Sequence, residues 1–185
     1  MEKDRKQQIL KAAEKRFSRH GLNKTTLNEI ARDLRIGKAT IYHYFATKEE
    51  LFFRTIEWEI DIYLEELKLI FLNEQLDLKN KLLEYFNLKL SAFTRFKLIY
   101  EVLFCMMKEE VLNEEVILVK MLFEKETDFL KQYLPGKKEK QIESSYNIVL
   151  SSWGEMLSNK IKTTAFPEMN LSGQYLLNFI ESIYP

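Results

Sequence analysis

Cysteine, histidine, proline and glycine are all scarce in this chain, and each scarcity removes a class of protein. The one cysteine among 185 residues, Cys105, leaves no internal disulfide and points to a reducing, cytoplasmic setting. The two histidines, His20 and His43, stand in no metal-ligand spacing, so neither a metal nor a cofactor is expected. Glycine-rich phosphate loops, nucleophile elbows and Cys/His pairs are missing. The adjacent carboxylates Glu65-Glu66, Glu109-Glu110 and Glu114-Glu115 point in different directions along a helix, which suits solvated faces better than acid–base chemistry. These absences argue against an enzyme. No apolar run approaches membrane-spanning length, so no membrane partner is expected, and the charged first residues lack the apolar stretch of a secretory leader. With only three prolines and five glycines against abundant Leu, Glu, Lys and Ile, the chain is predicted to be all-α with short connections.

Net charge is also missing, but only in total. Residues 1–48 carry twelve Lys or Arg against five Asp or Glu, whereas residues 49–185 carry sixteen against twenty-three. A basic head therefore precedes an acidic body. Affinity for nucleic acid depends on local basic groups that displace counterions from phosphates, so the head and not the total is what counts. Lys3, Arg5, Lys6, Lys24, Lys38 and Lys48 are the candidates for that role.

The end of the head has internal punctuation. Thr26 followed by Glu29 has the capping-box spacing, so a helix is predicted from about Leu27, with Leu27, Ile30, Ala31 and Leu34 as its apolar stripe. Gly37 then permits either a positive φ or an uncapped helix start. A second short helix is predicted from Lys38 to Phe45, and Thr47 with Glu50 repeats the capping box before a third. With Ile41 and Phe45 turned to the core, a step of about 100° per residue places Ala39 and His43 outward and Thr40 and Tyr42 on the flanks. Lys38 sits at the helix start. A merely solvated polar face would have the same composition; two short helices, a tight turn and a basic setting together favour a surface that enters a DNA groove.

These residues resemble the TetR family of bacterial transcriptional regulators. The likeness covers residues 5–55: Ile9, Ala13 and Phe17 in a first helix, Gly21 at its end, Thr25-Thr26, Ile30-Ala31, then Lys38 through Phe45 and Lys48-Glu49-Glu50-Leu51. Three positions depart from the family's usual pattern: Gly37 for serine, Ala39 for glycine and Leu22 for an aromatic residue. The resemblance implies base or backbone contacts from Lys38, Ala39, Thr40, Tyr42 and His43, and phosphate contacts from Thr26, Tyr44 and Lys48. It also implies a three-helix, helix-turn-helix DNA-binding domain at 1–47 and a helical ligand-binding and dimerisation domain at 48–185. The expected function is that of a ligand-responsive repressor that binds a palindromic double-stranded operator as a homodimer and is released by a small apolar effector. The alternative is a helical protein–protein adaptor without DNA binding, which predicts neither charge segregation nor a groove-shaped face.

In the body, periodicity predicts helices at 48–72, 76–94, 97–111, 113–133, 138–162 and 171–183, with the clearest break at Leu134-Pro135-Gly136-Lys137. Soft and aromatic side chains suit an effector cavity, and Phe93, Phe104, Met107, Phe123 and Trp153 are the candidate lining. Cys105 reads as a small core residue. Two apolar stripes close the chain: Ile142, Tyr146, Val149, Leu150, Trp153, Leu157 and Ile161, then Leu171, Tyr175, Phe179 and Ile183. Tyr146, Leu150, Trp153, Leu157, Tyr175 and Phe179 are the expected contacts of a twofold four-helix interface.

Overall fold

A computed structural model describes residues 2–107 and 112–165, with side chains placed for 4–106 and 112–158. Among the described residues there are eight α-helices and no strand. They are α1 (Glu2–Lys24), α2 (Leu27–Asp33), α3 (Lys38–Tyr44), α4 (Lys48–Leu72), α5 (Leu78–Arg95), α6 (Lys97–Met107), α7 (Asn113–Leu130) and α8 (Lys138–Ala165). The helix expected at 171–183 lies outside the described residues.

Local chemistry explains most boundaries. Regular helix in α1 breaks at Gly21, whose φ of 71° favours glycine, and Thr25 Oγ1 donates to the Gly21 carbonyl at 2.8 Å. α5 starts two residues later than periodicity suggested, because Asp77 Oδ1 accepts the Asn80 N–H at 2.8 Å and so takes the cap position. The break at Pro135 falls where expected; Gly136 takes a φ of 111°, and Gln141 Nε2 donates to the Leu134 carbonyl at 2.6 Å. The division between α5 and α6 has no proline or glycine. Its cap comes from a distance: Glu59 Oε2 on α4 accepts the Ile99 N–H at 2.7 Å.

Contacts gather the described residues into two compact units, those up to 62 with 96–107 and 112–119, and 63–95 with 120–165. α4 and α7 each contribute to both, so contact joins α6 and the first part of α4 to the head that the motifs bounded at 47. The first unit buries Ile9, Ala13, Phe17, Leu27, Ile30, Ile41, Phe45, Leu51 and Phe52. Phe17 and Phe52 meet edge to face at 5.1 Å. Each such large side chain contributes roughly 1.5–3 kcal/mol by leaving water. The second unit buries Tyr63, Leu67, Phe71, Tyr85, Leu122, Val149 and Trp153. The inward face of α4 ends on Phe71, which meets Phe129 and Tyr133, while Ile70 beside it is half-buried.

Candidate nucleic-acid interface

The frame of the interface is built from reciprocal caps. Thr26 Oγ1 accepts the Glu29 N–H at 3.3 Å and Glu29 Oε2 accepts the Thr26 N–H at 2.9 Å, the complete capping box at the start of α2. The Thr26 hydroxyl also donates to Glu29 Oε2 at 2.8 Å, and this bond, with that from the Thr26 N–H, holds the Glu29 carboxyl below its ordinary value. A second frame bond ties α2 to α1, since Arg16 grips Asp33 through Nε and Nη2, both at 2.6 Å. The guanidinium pulls the Asp33 carboxyl down and is itself pushed up by it. At the start of α4, Thr47 Oγ1 accepts the Glu50 N–H at 2.9 Å while Glu50 Oε2 accepts the Ala46 N–H at 2.7 Å.

Between α2 and α3 the strained position is Arg35, with a φ of 54°. Arg35 N–H and Ile36 N–H donate back to the carbonyls of Arg32 and Ala31 at 3.1 and 3.0 Å, closing α2. Gly37 takes the second of its two options, an uncapped helix start in extended backbone (φ −73°). The left-handed residue of the turn was thus not the glycine. Glycine bears such a conformation at least cost, but the closing bonds of α2 fall two residues earlier, at Arg35 and Ile36.

α3 presents its faces as the 100° step predicts. Ile41 and Phe45 are buried, while Lys38, Ala39, Tyr42 and His43 are exposed and Thr40 and Tyr44 are half-buried. Lys38 Nζ lies 5.3 Å from the Tyr42 ring centroid, one turn on, and His43 meets Tyr44 edge to face at 5.1 Å. Both pairs keep an exposed side chain in a defined place. Two of the expected phosphate contacts carry structural duties: the Thr26 hydroxyl is the cap of α2, and Lys48 Nζ donates to the Leu22 carbonyl at 2.8 Å. That lysine holds the end of α1 to the start of α4, a role with no sequence signature.

The candidate effector lining is divided. Phe104 lies in the first unit, stacked on Tyr100 at 6.0 Å; Phe93, Phe123 and Trp153 lie in the second, and the Met107 side chain is outside the described atoms. The sequence stripe on α8 also divides. Trp153 is 2% exposed, and its Nε1 donates to Glu126 Oε2 at 2.8 Å, so its indole has no surface left for a partner chain. Tyr146 and Leu150 are 45% and 53% exposed, with Ile142 beside them, and Leu157 is half-buried. Tyr175 and Phe179 lie outside the described residues. A seven-residue stripe at helical spacing is wider than one contact face; the core takes Val149, Trp153 and Met156 and leaves the other edge in water.

Known proteins share this head and this fold. Residues 9–55 match the family described as bacterial regulatory proteins, tetR family. Over 64 residues the chain is 38% identical to the HTH-type transcriptional regulator HbdR of Aromatoleum sp. (strain CIB), a match covering 35% of this chain and 28% of that protein. Over 68 residues it is 34% identical to an HTH-type transcriptional regulator of Staphylococcus aureus, 37% of either chain. It thus spans about a third of the length of these curated relatives. The crystal structure of a TetR transcriptional regulator from Legionella pneumophila has the same fold, with a TM-score of 0.68 at 23% identity over 95% of this chain and 94% of that one. Residues 9–55 thus carry a helix-turn-helix of the kind described as bacterial regulatory proteins, tetR family, and nearly the whole chain shares the fold of the Legionella regulator.

Proposed function

We propose that this protein regulates transcription by placing α3 in the major groove of DNA. The observation that carries the reading is the two-sided character of α3: Ile41 and Phe45 anchor it, while Lys38, Ala39, Tyr42 and His43 project from a head rich in Lys and Arg. Lys38 reads a base edge or a phosphate, Tyr42 and His43 donate to bases or backbone, and Tyr44 and Lys48 approach phosphates from the flanks. The exposed edge of α8, Ile142 with Tyr146 and Leu150, supports a homodimer, whose twofold axis calls for a palindromic operator with half-sites about one turn apart. Within that reading the protein is a repressor released by a small effector.

The experiment is selection of bound duplexes from a random library, followed by titration of the winner at rising salt. The expected result is an inverted repeat whose affinity falls steeply with salt, because each head displaces several counterions. Recovery of no enriched duplex, or an affinity indifferent to salt, would overturn the reading and favour the adaptor.

A further inference from the structure

A cavity of about 660 Å³ opens in the first unit, within the size range of small-molecule sites. α1, α4 and α6 wall it, with residues 112 and 115 completing the lining. Its floor is apolar, formed by the Phe17–Phe52 ring pair with Leu98, Val102 and the chain's single cysteine, Cys105. Among the described residues its charged lining is lopsided: Glu49, Glu101 and Glu115 against one cationic side chain, Arg19. Glu115 is 8% exposed, and its Oε2 accepts the Leu112 N–H at 2.8 Å. Glu49 and Glu101 are exposed.

We propose that this cavity binds an amphipathic cation, an apolar or aromatic body carrying one positive charge, and that such a ligand is the effector that lowers DNA affinity. The apolar floor takes the body out of water, and the carboxylates attract the charge, most strongly at buried Glu115 where the dielectric is lower. An anion of the same shape meets the opposite field. The position gives the ligand a direct handle on the head. Phe17 belongs to α1 and Phe52 to α4, and α1 holds α2 through the Arg16–Asp33 clamp. A body wedged between α1 and α6 therefore shifts the helices that set the pose of α3. The effector role rests on the DNA-reading function proposed above; the binding site does not.

The test uses the intact chain and two ions of one shape, tetraphenylphosphonium and tetraphenylborate. Calorimetric titration without DNA should show one saturable phosphonium site per chain, with the borate at least tenfold weaker. Glu101→Gln, at an exposed position, should weaken the phosphonium several-fold, leave the borate unweakened and keep the parent's urea midpoint. Saturating phosphonium should slow alkylation of Cys105 by N-ethylmaleimide several-fold, which locates the ligand. Equal affinity for both ions, no effect of Glu101→Gln, or an unchanged alkylation rate overturns the site. With the selected duplex, phosphonium should lower DNA affinity at least fivefold, and Glu101→Gln should blunt that response; an unchanged DNA affinity overturns the effector role. Failure to select any duplex removes the DNA-reading function while the first three measurements still decide the site.

Discussion

In the first unit Glu59 gives its carboxylate to the backbone of α6, whereas in the second Glu126 gives its own to three side chains. Glu59 is 3% exposed, its Oε2 accepts from Ile99, and its Oε1 finds no partner among the described residues. Burial pushes its carboxyl up to about 8, against the downward pull of the Ile99 N–H. Glu126 lies at the centre of four helices. Its Oε1 accepts from the Tyr63 hydroxyl on α4 and faces the Lys89 ammonium on α5, while its Oε2 accepts from Trp153 on α8. Lys89 meets it as an ion pair rather than an aligned hydrogen bond, with Nζ 3.5 Å from the Trp153 ring centroid and 5.1 Å from those of Tyr63 and Tyr85. Burial brings that ammonium down to about 7. A backbone acceptor tolerates loss of charge, since a neutral oxygen still accepts; a charge-paired cluster does not.

The largest effect should follow from breaking the cluster. Glu126→Ala leaves Lys89 uncompensated and Tyr63 and Trp153 without an acceptor, so urea denaturation should show a loss of about 3–5 kcal/mol. The double change Lys89→Met with Glu126→Leu should recover most of it, because apolar replacement of both partners removes the desolvation cost with the attraction. A loss under about 1 kcal/mol for the single change would mean that the cluster does not hold the four helices.

Next comes the surface of the head, where function and stability should separate. Lys38→Ala should weaken operator binding by about 1–3 kcal/mol in an anisotropy titration while the urea midpoint stays put. Equal binding by the variant would remove Lys38 from the reading face.

The comparison of the two buried ionisable groups sharpens with pH. Glu59 is raised from its ordinary value of 4.5, so its contribution is complete below that value and is lost as pH rises through about 8. Lys89 is depressed from 10.5, so its contribution is present above that value and is lost as pH falls through about 7. Between pH 5 and 7 the Glu59 slope acts largely alone. Glu59→Gln keeps an acceptor for Ile99 without the charge, so its advantage over the parent should grow from pH 5.5 to 8.5 in urea denaturation. Parallel profiles would show that Glu59 does not set the slope.

The smallest expected effect lies in the turn. Arg35→Gly relieves left-handed strain of about 1–2 kcal/mol and gives back about 0.5–1 in the freedom of the unfolded chain. A gain of about 0.5–1 kcal/mol is expected from thermal unfolding, with none for Arg35→Ala, which keeps the Cβ.

The head was legible because its determinants are near neighbours. Thr26 and Glu29 are one turn apart, as are Thr47 and Glu50, and Lys38, Ile41, Tyr42 and Phe45 set both faces of α3 within eight residues. The candidate DNA-contact face was therefore drawn residue by residue, except that the caps and the Lys48–Leu22 bond also occupy Thr26 and Lys48. Helices in the body were legible from period alone, which reports that an apolar stripe exists but not what it faces. On α8 the same spacing produced buried Trp153 and exposed Tyr146, and on α7 nothing local sets buried Glu126 apart from exposed Glu124 and Asp128.

Sequence alone determined the all-α class, the basic head, the capped helix-turn-helix and the outward side of α3, because each follows from helical period, caps within one turn, or a count of charges. Only the tertiary structure decided which buried acid meets a backbone and which meets a lysine, where a cavity remains, and which edge of α8 stays in water. Tyr63 and Glu126 are 63 residues apart in the chain, Tyr85 and Ser152 are 67, and Trp153 and Glu126 are 27. No periodicity links such positions; they become neighbours only once the helices have packed.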